Sequence, residues 1–384
     1  RQNNNDWIPR HTYIEYSLAN AEGTPAMQKL QVLENLWYVA ALSGELTDKP
    51  LARMICGVPM VLYRGENGNL VALEDRCPHR QAPLSMGNII GDQIQCDYHG
   101  FMFDGTGACT HIPRQDKIPA SMGVRAFAVV ERWGFVWLWW GDREKADDSA
   151  IPHLPWTEED HQRTQYFYFH VKSNHQLMAD NLLDISHVDF LHKHSIASKI
   201  GDTEKQTEAP KVTFETTTEG NVVTTVRKVH NTLLAGQTAK WHGSEGPVTR
   251  ISTGRWEPPN CCILKLQFAE PDGTINETIS MEHIMTPETA STCHYFMDWT
   301  WDFGGPDGYP THADVDQEQR GIIDGDDIPM VEAQQRTIEQ FGADARDVPV
   351  KQDLHVSSVH RVLKRMYEDA GMTAAAEVTR MAAE

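Results

Sequence analysis

The chain has 384 residues, 40% hydrophobic and 23% charged, with 34 Lys and Arg against 54 Asp and Glu for a formal net charge of −20. That length is enough for two cores, and so acidic a surface repels phosphate backbones and anionic lipid, which excludes nucleic acid and membrane surfaces as partners. Seven scattered cysteines, in a chain too large to need disulfide staples, predict reduced thiols and a cytoplasmic protein.

Residues 1–35 read as an N-terminal extension. Arg1–Asp6 is polar and lacks the apolar core of a signal peptide, and with no initiator Met the natural start is expected upstream. From Leu36 short β-rich runs (WYVAAL, VPMVLY, NLVALE) alternate with turn signals such as Arg64-Gly65-Glu66-Asn67-Gly68. The most apolar stretch, Phe127–Trp140, is interrupted by Glu131 and Arg132 and is too short to cross a bilayer; it reads as a hairpin. These features predict an all-β domain over 36–145, ending in the charged linker Asp142–Ser149. Residues 174–194 carry apolar side chains at helical spacing, 210–300 return to strand patterning, and the chain from Ala313 onward is helical, VEAQQRTIEQF and VHRVLKRMYEDAG most plainly. The expected second domain, 146–384, is α+β: an antiparallel sheet with flanking helices.

Two clusters carry chemistry. The first is Cys77-Pro78-His79, then sixteen residues, then Cys96-Asp97-Tyr98-His99. Two thiolates for one iron and two imidazoles for the other are what a Rieske [2Fe–2S] cluster needs, and Pro78, Pro83, Gly87 and Gly100 supply the tight loops. The competing assignment is a Cys₂His₂ zinc site, but zinc fingers pair Cys with Cys and His with His, whereas each loop here mixes them. The second cluster runs from Asn181 through Asp184 to His187 and His192. Two imidazoles and a carboxylate with open positions form the facial triad of non-haem Fe(II) oxygenases. Asp184 and His187 share a helix face. His187 and His192, five residues apart, stand about 140° apart on an ideal helix, so both can ligate only where the helix ends or distorts. His175 and His194 fall outside this frame and read as structural or surface residues. Asp184 is one candidate for the carboxylate.

The segments CPHRQAPLS, CDYHGFMFDGTGAC, NLWYVAAL, DNLLDISH and HIMTPE resemble the Rieske non-haem iron oxygenases, in particular the oxygenase components of the vanillate and dicamba O-demethylase group. Respiratory Rieske proteins join an additional Cys in each loop as a disulfide; Ala82 and Tyr98 stand there in this chain, so that bridge cannot form. The resemblance implies cluster ligation by Cys77, His79, Cys96 and His99, and mononuclear iron on His187, His192 and a late carboxylate. Its acidic pair before an E-A-x-x helix matches Gly325–Gln335, which makes Asp327 the ligand and leaves Asp326 and Glu332 as alternatives. Asn181 and Asp184 are then site residues beside the iron, with Asp184 bridging to a cluster histidine of a neighbouring subunit in a homotrimer. No G-x-G-x-x-G follows a predicted strand, so a separate ferredoxin and NAD(P)H-dependent reductase should supply electrons for O₂ activation. The implied reaction hydroxylates a carbon bound to O or N of a small aromatic substrate; the hemiacetal or hemiaminal then collapses to the dealkylated product and an aldehyde. A ring-hydroxylating dioxygenase and a pure electron-transfer protein are the alternatives. Candidate substrate contacts are His283, Trp256 and Glu257, with Trp299 nearby; a pocket-facing Glu257 would repel anions and favour a neutral aromatic ether or amide.

Overall fold

Short apolar runs punctuated by Gly and Pro fold into three small antiparallel sheets in the N-terminal part. A computed structural model describes residues 30–154, 163–192, 211–234, 246–303 and 310–372; His194 and nearly all of the expected N-terminal extension lie outside the described residues. Strands β1 (Leu36–Leu42), β2 (Leu51–Ile55), β3 (Val58–Arg64) and β4 (Leu70–Glu74) are followed by the short strands β5 (Asn88–Ile90), β6 (Gln93–Gln95), β7 (Met102–Phe103) and β8 (Cys109–His111). Next come β9 (Ala126–Phe127), β10 (Val129–Arg132) and β11 (Phe135–Trp140). The sheets run β1-β11-β10, β2-β3-β4-β9 and β5-β6-β7-β8. The predicted hairpin is β10–β11, paired from Val129↔Leu138 to Arg132↔Phe135. Its two-residue turn places Trp133 and Gly134 at positive φ (54° and 76°), as the twist of a tight hairpin requires. A Cβ at Gly134 would run into the Tyr166 ring.

The C-terminal part is built on one antiparallel sheet of seven strands. β12 (Arg163–Val171) leads into helix α1 (His175–Leu183) and the short α2 (Val188–Leu191). Then follow β13 (Lys211–Glu219), β14 (Val222–Leu233), β15 (Pro247–Glu257), β16 (Cys261–Ala269), β17 (Ile275–Pro287) and β18 (Cys293–Trp301). Their order is β12-β18-β17-β16-β15-β14-β13, the α+β arrangement expected from the sequence. Helices α3 (His312–Ile322), α4 (Ile328–Phe341) and α5 (Leu354–Asp369) follow. No helix among the described residues is long and apolar enough to cross a membrane.

Alternation along the strands gives the large sheet two covered faces. Phe167, Phe169, Trp256, Cys262, Tyr295, Met297 and Trp301 face helices α1, α3, α4 and α5 in one core. Their neighbours Cys261, Ile263, Ile284 and Phe296 face the other way and share a core with Trp37, Val39, Phe135, Trp137 and Trp139 of β1 and β11. Backbone bonds stitch that seam: Cys56 N–H donates to the Pro287 carbonyl (2.7 Å) and Gly57 N–H to that of Glu288 (2.9 Å). His294, only 3% exposed, donates from Nε2 to the Met54 carbonyl at 2.8 Å while its Nδ1 accepts from Tyr168 Oη at 2.9 Å.

Candidate metal centres

Cys77 and Cys96 open two loops with the same backbone wiring. Cys77 N–H donates to the Ala82 carbonyl (2.7 Å), and Gln81 N–H returns to the Cys77 carbonyl (2.8 Å). In the second loop Cys96 N–H donates to Phe101 and Gly100 N–H returns to Cys96, both at 2.8 Å. The corner residues match as well, Gln81 at φ 61° and Gly100 at φ 74°. Both thiols are buried, and burial, with the Cys96 thiol adding to it, pushes Cys77 up to about 11. The rings of His79 and His99 meet edge to face with centroids 4.6 Å apart, and His79 stacks on Phe101. Donors mixed in sequence are therefore paired by type in space, thiol beside thiol and ring beside ring. That pairing fits a cluster whose two irons take different ligands. His79 Nδ1, buried and without a hydrogen-bond partner, fits the same role. Among the described residues all seven cysteines are free.

The second site begins where α1 stops. Asp184, at φ −91° and ψ 86°, breaks the helix, and its carboxylate accepts from Ser186 N–H at 2.9 Å to start the 3₁₀ turn Ile185–His187. This break answers the 140° problem: the Nε2 atoms of His187 and His192 converge to 3.2 Å. His187 Nδ1 donates to the Asp184 carbonyl, and His192 Nδ1 donates to Asp326 Oδ2 at 3.0 Å. Both protons are thus held outside, and both Nε2 lone pairs point inward, the outer-shell arrangement of ligating imidazoles. Asp327 arrives from a π-helical turn, Ile323–Asp327, between α3 and α4; such one-residue expansions re-aim side chains at functional sites. Its Oδ1 lies 3.2 Å from His192 Nε2 and 3.7 Å from His187 Nε2, is buried, and has no hydrogen-bond partner. The donor atoms of these three side chains all lie within 4.8 Å of one another, close enough to hold a single metal ion. Burial pulls the His192 pKa down, yet the carboxylates of Asp327 and Asp326 more than reverse it, a field that also attracts a cation. The alternatives are occupied elsewhere: Glu332 Oε1 accepts from Lys172 N–H at 3.0 Å, Asp326 supports His192, and Asp184 caps the turn.

Residues 36–127 match the Rieske [2Fe–2S] domain family and 171–369 the vanillate O-demethylase oxygenase C-terminal domain family. The chain belongs to the Rieske oxygenases of the vanillate O-demethylase type. It is 37% identical over 277 residues to the dicamba O-demethylase oxygenase component of Stenotrophomonas maltophilia, covering 71% of this chain and 79% of that protein. It is also 34% identical to a putative toluene-4-sulfonate monooxygenase iron–sulfur subunit of Comamonas testosteroni, over 87% of this chain and 97% of that one. Dicamba monooxygenase bound to 3,6-dichlorosalicylic acid superposes with a TM-score of 0.80 at 32% identity, covering 88% of this chain and 98% of the other. The same enzyme with non-haem iron and dicamba gives 0.72 at 30% identity and the same coverage. This Rieske oxygenase is therefore an oxidoreductase, the terminal oxygenase component of a multicomponent system, with a [2Fe–2S] cluster and a mononuclear iron as its cofactors.

The helix-facing side of the oxygenase sheet leads from the iron site to His283. That imidazole is 2% exposed and shares a 2.6 Å hydrogen bond with the Tyr295 hydroxyl through Nδ1, while its Nε2 is buried without a partner. Burial lowers the His283 pKa to about 3, so the ring is neutral. Tyr295 is pushed well above its ordinary value, by burial first and by the nearby Asp327. Trp256 is fully buried on this face, its Nε1 donating to Asn260 Oδ1 at 3.2 Å. Asn181 keeps a buried Oδ1 without a partner. Glu257 is different. It pairs in register with Cys261, as Trp256 does with Cys262, so strand alternation turns it to the opposite face, where it meets Arg255 at 2.8 Å. The electrostatic case against anionic substrates therefore loses its basis in Glu257. Sequence reasoning missed the His283–Tyr295 pair and the outer role of Asp326, both of which depend on long-range register.

Proposed function

We propose that this oxygenase carries out oxidative O- or N-demethylation of a small aromatic compound, with Cys77, His79, Cys96 and His99 holding the cluster and His187, His192 and Asp327 holding the iron. The division is an N-terminal extension over 1–35, a Rieske domain over 36–145 and a catalytic domain over 146–384; strands β1 and β11, which bracket the N-terminal sheets, support it. When bound, the cluster supplies single electrons and the iron supplies the site of O₂ reduction. The chain's residues position and shield. The observation that carries the reading is the meeting of His187, His192 and Asp327; the neutral, buried His283, joined to Tyr295, can as its Nε2–H tautomer hold an ether or amide oxygen. Apolar Trp256, Met297 and Trp299 exclude water, so that each electron drawn is spent on substrate.

The enzyme works in the cytoplasm with a ferredoxin and an NAD(P)H-dependent reductase, and it assembles as a homotrimer. His99 is exposed and so reachable from a neighbouring chain. Asp184 is half-buried, with one carboxylate oxygen engaged by Ser186, leaving the other to accept from an imidazole of that neighbour. The decisive experiment is quantification of iron and acid-labile sulfide on the purified protein, followed by turnover of methylated aryl ethers and amides with aldehyde detection. Formaldehyde formed in step with demethylated product supports the proposal; a cis-diol without aldehyde, or a zinc protein without sulfide, overturns it.

A further inference from the structure

Far in sequence from both metal centres, the outer face of α5 borders a groove of about 630 Å³ against the edge strand β13 and residues 349–351. Its floor is apolar. Phe214, Val350 and Leu354, which stand 45%, 57% and 41% exposed, line it together with Pro349. Four cations line the same space, Lys351, Arg361, Lys364 and Arg365, against one carboxylate, Glu368. None of the four has an acidic partner among the described residues. Arg361 instead donates to Ser358 Oγ at 2.8 Å, and Arg365 is braced by the Gly220 carbonyl and Asn221 Oδ1, both at 2.8 Å. A local excess of three positive charges, on a chain whose net charge is −20, leaves a net repulsion that Glu368 offsets only in part. Exposed aromatic and branched side chains beside those cations add a second uncompensated cost.

We propose that this groove binds an organic anion with an apolar or aromatic body, such as an aryl carboxylate or sulfonate. One molecule would cover both defects: its ring lies on Phe214 and Leu354, and its charged end meets the forked guanidinium of Arg361 and the Lys364 ammonium. Its volume falls within the range of small-molecule sites. Leu354, Arg361, Lys364 and Arg365 lie on one stripe of α5, so the site is set by a single helix already held in the core through Val356, Val359 and Leu363.

The test is calorimetric titration of sodium benzoate into the holoenzyme and into the Arg361→Ser/Lys364→Ser double variant, with benzyl alcohol and inorganic phosphate as comparison probes. Both substituted side chains lie on the outer face of α5, away from the metal centres, so the visible spectrum and turnover should stay unchanged. Wild type should bind one benzoate per chain more than the variant does, with an affinity at least about tenfold above that for phosphate at equal ionic strength and for benzyl alcohol. Lys364→Arg should retain that binding. Indistinguishable isotherms in wild type and double variant overturn the proposal, and so does equal binding of phosphate, which would make the groove a plain anion surface. Loss of subunit assembly or of reductase affinity in the variant, with benzoate binding intact, would assign the groove to a protein partner and overturn it as well.

Discussion

At the residue scale, ligands and their supports are separable by measurement. His187→Ala, His192→Ala and Asp327→Ala should each abolish mononuclear iron and turnover while the cluster absorption persists. Asp326→Asn keeps all three ligands but removes the carboxylate that holds His192 Nδ1, so iron affinity should fall by about 10–100-fold; an unchanged iron content on dialysis would deny Asp326 that role. Cys77→Ser or His99→Ala should have the reverse signature, with cluster absorption gone and mononuclear iron retained. The candidate donors and their local spacing were legible in the sequence because each loop is self-contained, its bonds closing within six residues. Which of two adjacent aspartates faces inward was not deducible from spacing, since a π-helical turn shifts the helical phase at that point.

At the element scale, one buried pair of carboxylates works against stability. Glu282 and Asp298 face each other across β17 and β18, fully buried, with Glu282 Oε2 and Asp298 Oδ2 both lacking a donor. Burial raises the pKa of both, and for Asp298 the neighbouring Glu282 raises it further, so the pair retains a proton. The unfolded chain releases that proton at the ordinary carboxylate value of about 4. Stability from this pair is therefore present below that value and falls as pH rises toward the raised one. Asp298→Asn should stabilise the fold by roughly 1–3 kcal/mol, more at about pH 8 than at about pH 6; thermal unfolding at the two values checks this. The strands were legible as alternating runs, but the Glu282–Asp298 pair and the facing of Glu257 depend on register between segments distant in sequence, which composition does not encode.

At the scale of the whole molecule, electrons must pass between two centres, and the proposed route crosses a subunit boundary through Asp184. Asp184→Asn preserves the oxygen that caps the 3₁₀ turn but removes the charge offered to a neighbouring imidazole. Both cofactors and the assembly should survive, while stopped-flow oxidation of the reduced cluster slows by at least about tenfold; a wild-type rate would refute the bridge. The two-part architecture was legible from the change in hydrophobic period. The seam was not, because nothing local marks Trp37, Trp137 and Trp139 as partners of Ile263, Ile284 and Phe296. That seam has a practical consequence for anyone who would treat the N-terminal half as a detachable electron carrier. Cut free, it would present three indoles and the unpaired Cys56 and Gly57 amides to water, the profile of a protein that precipitates. Chimaeras between relatives should accordingly behave only when both sides of the seam are transplanted together, and domain shuffling in this family is then an exchange of matched halves.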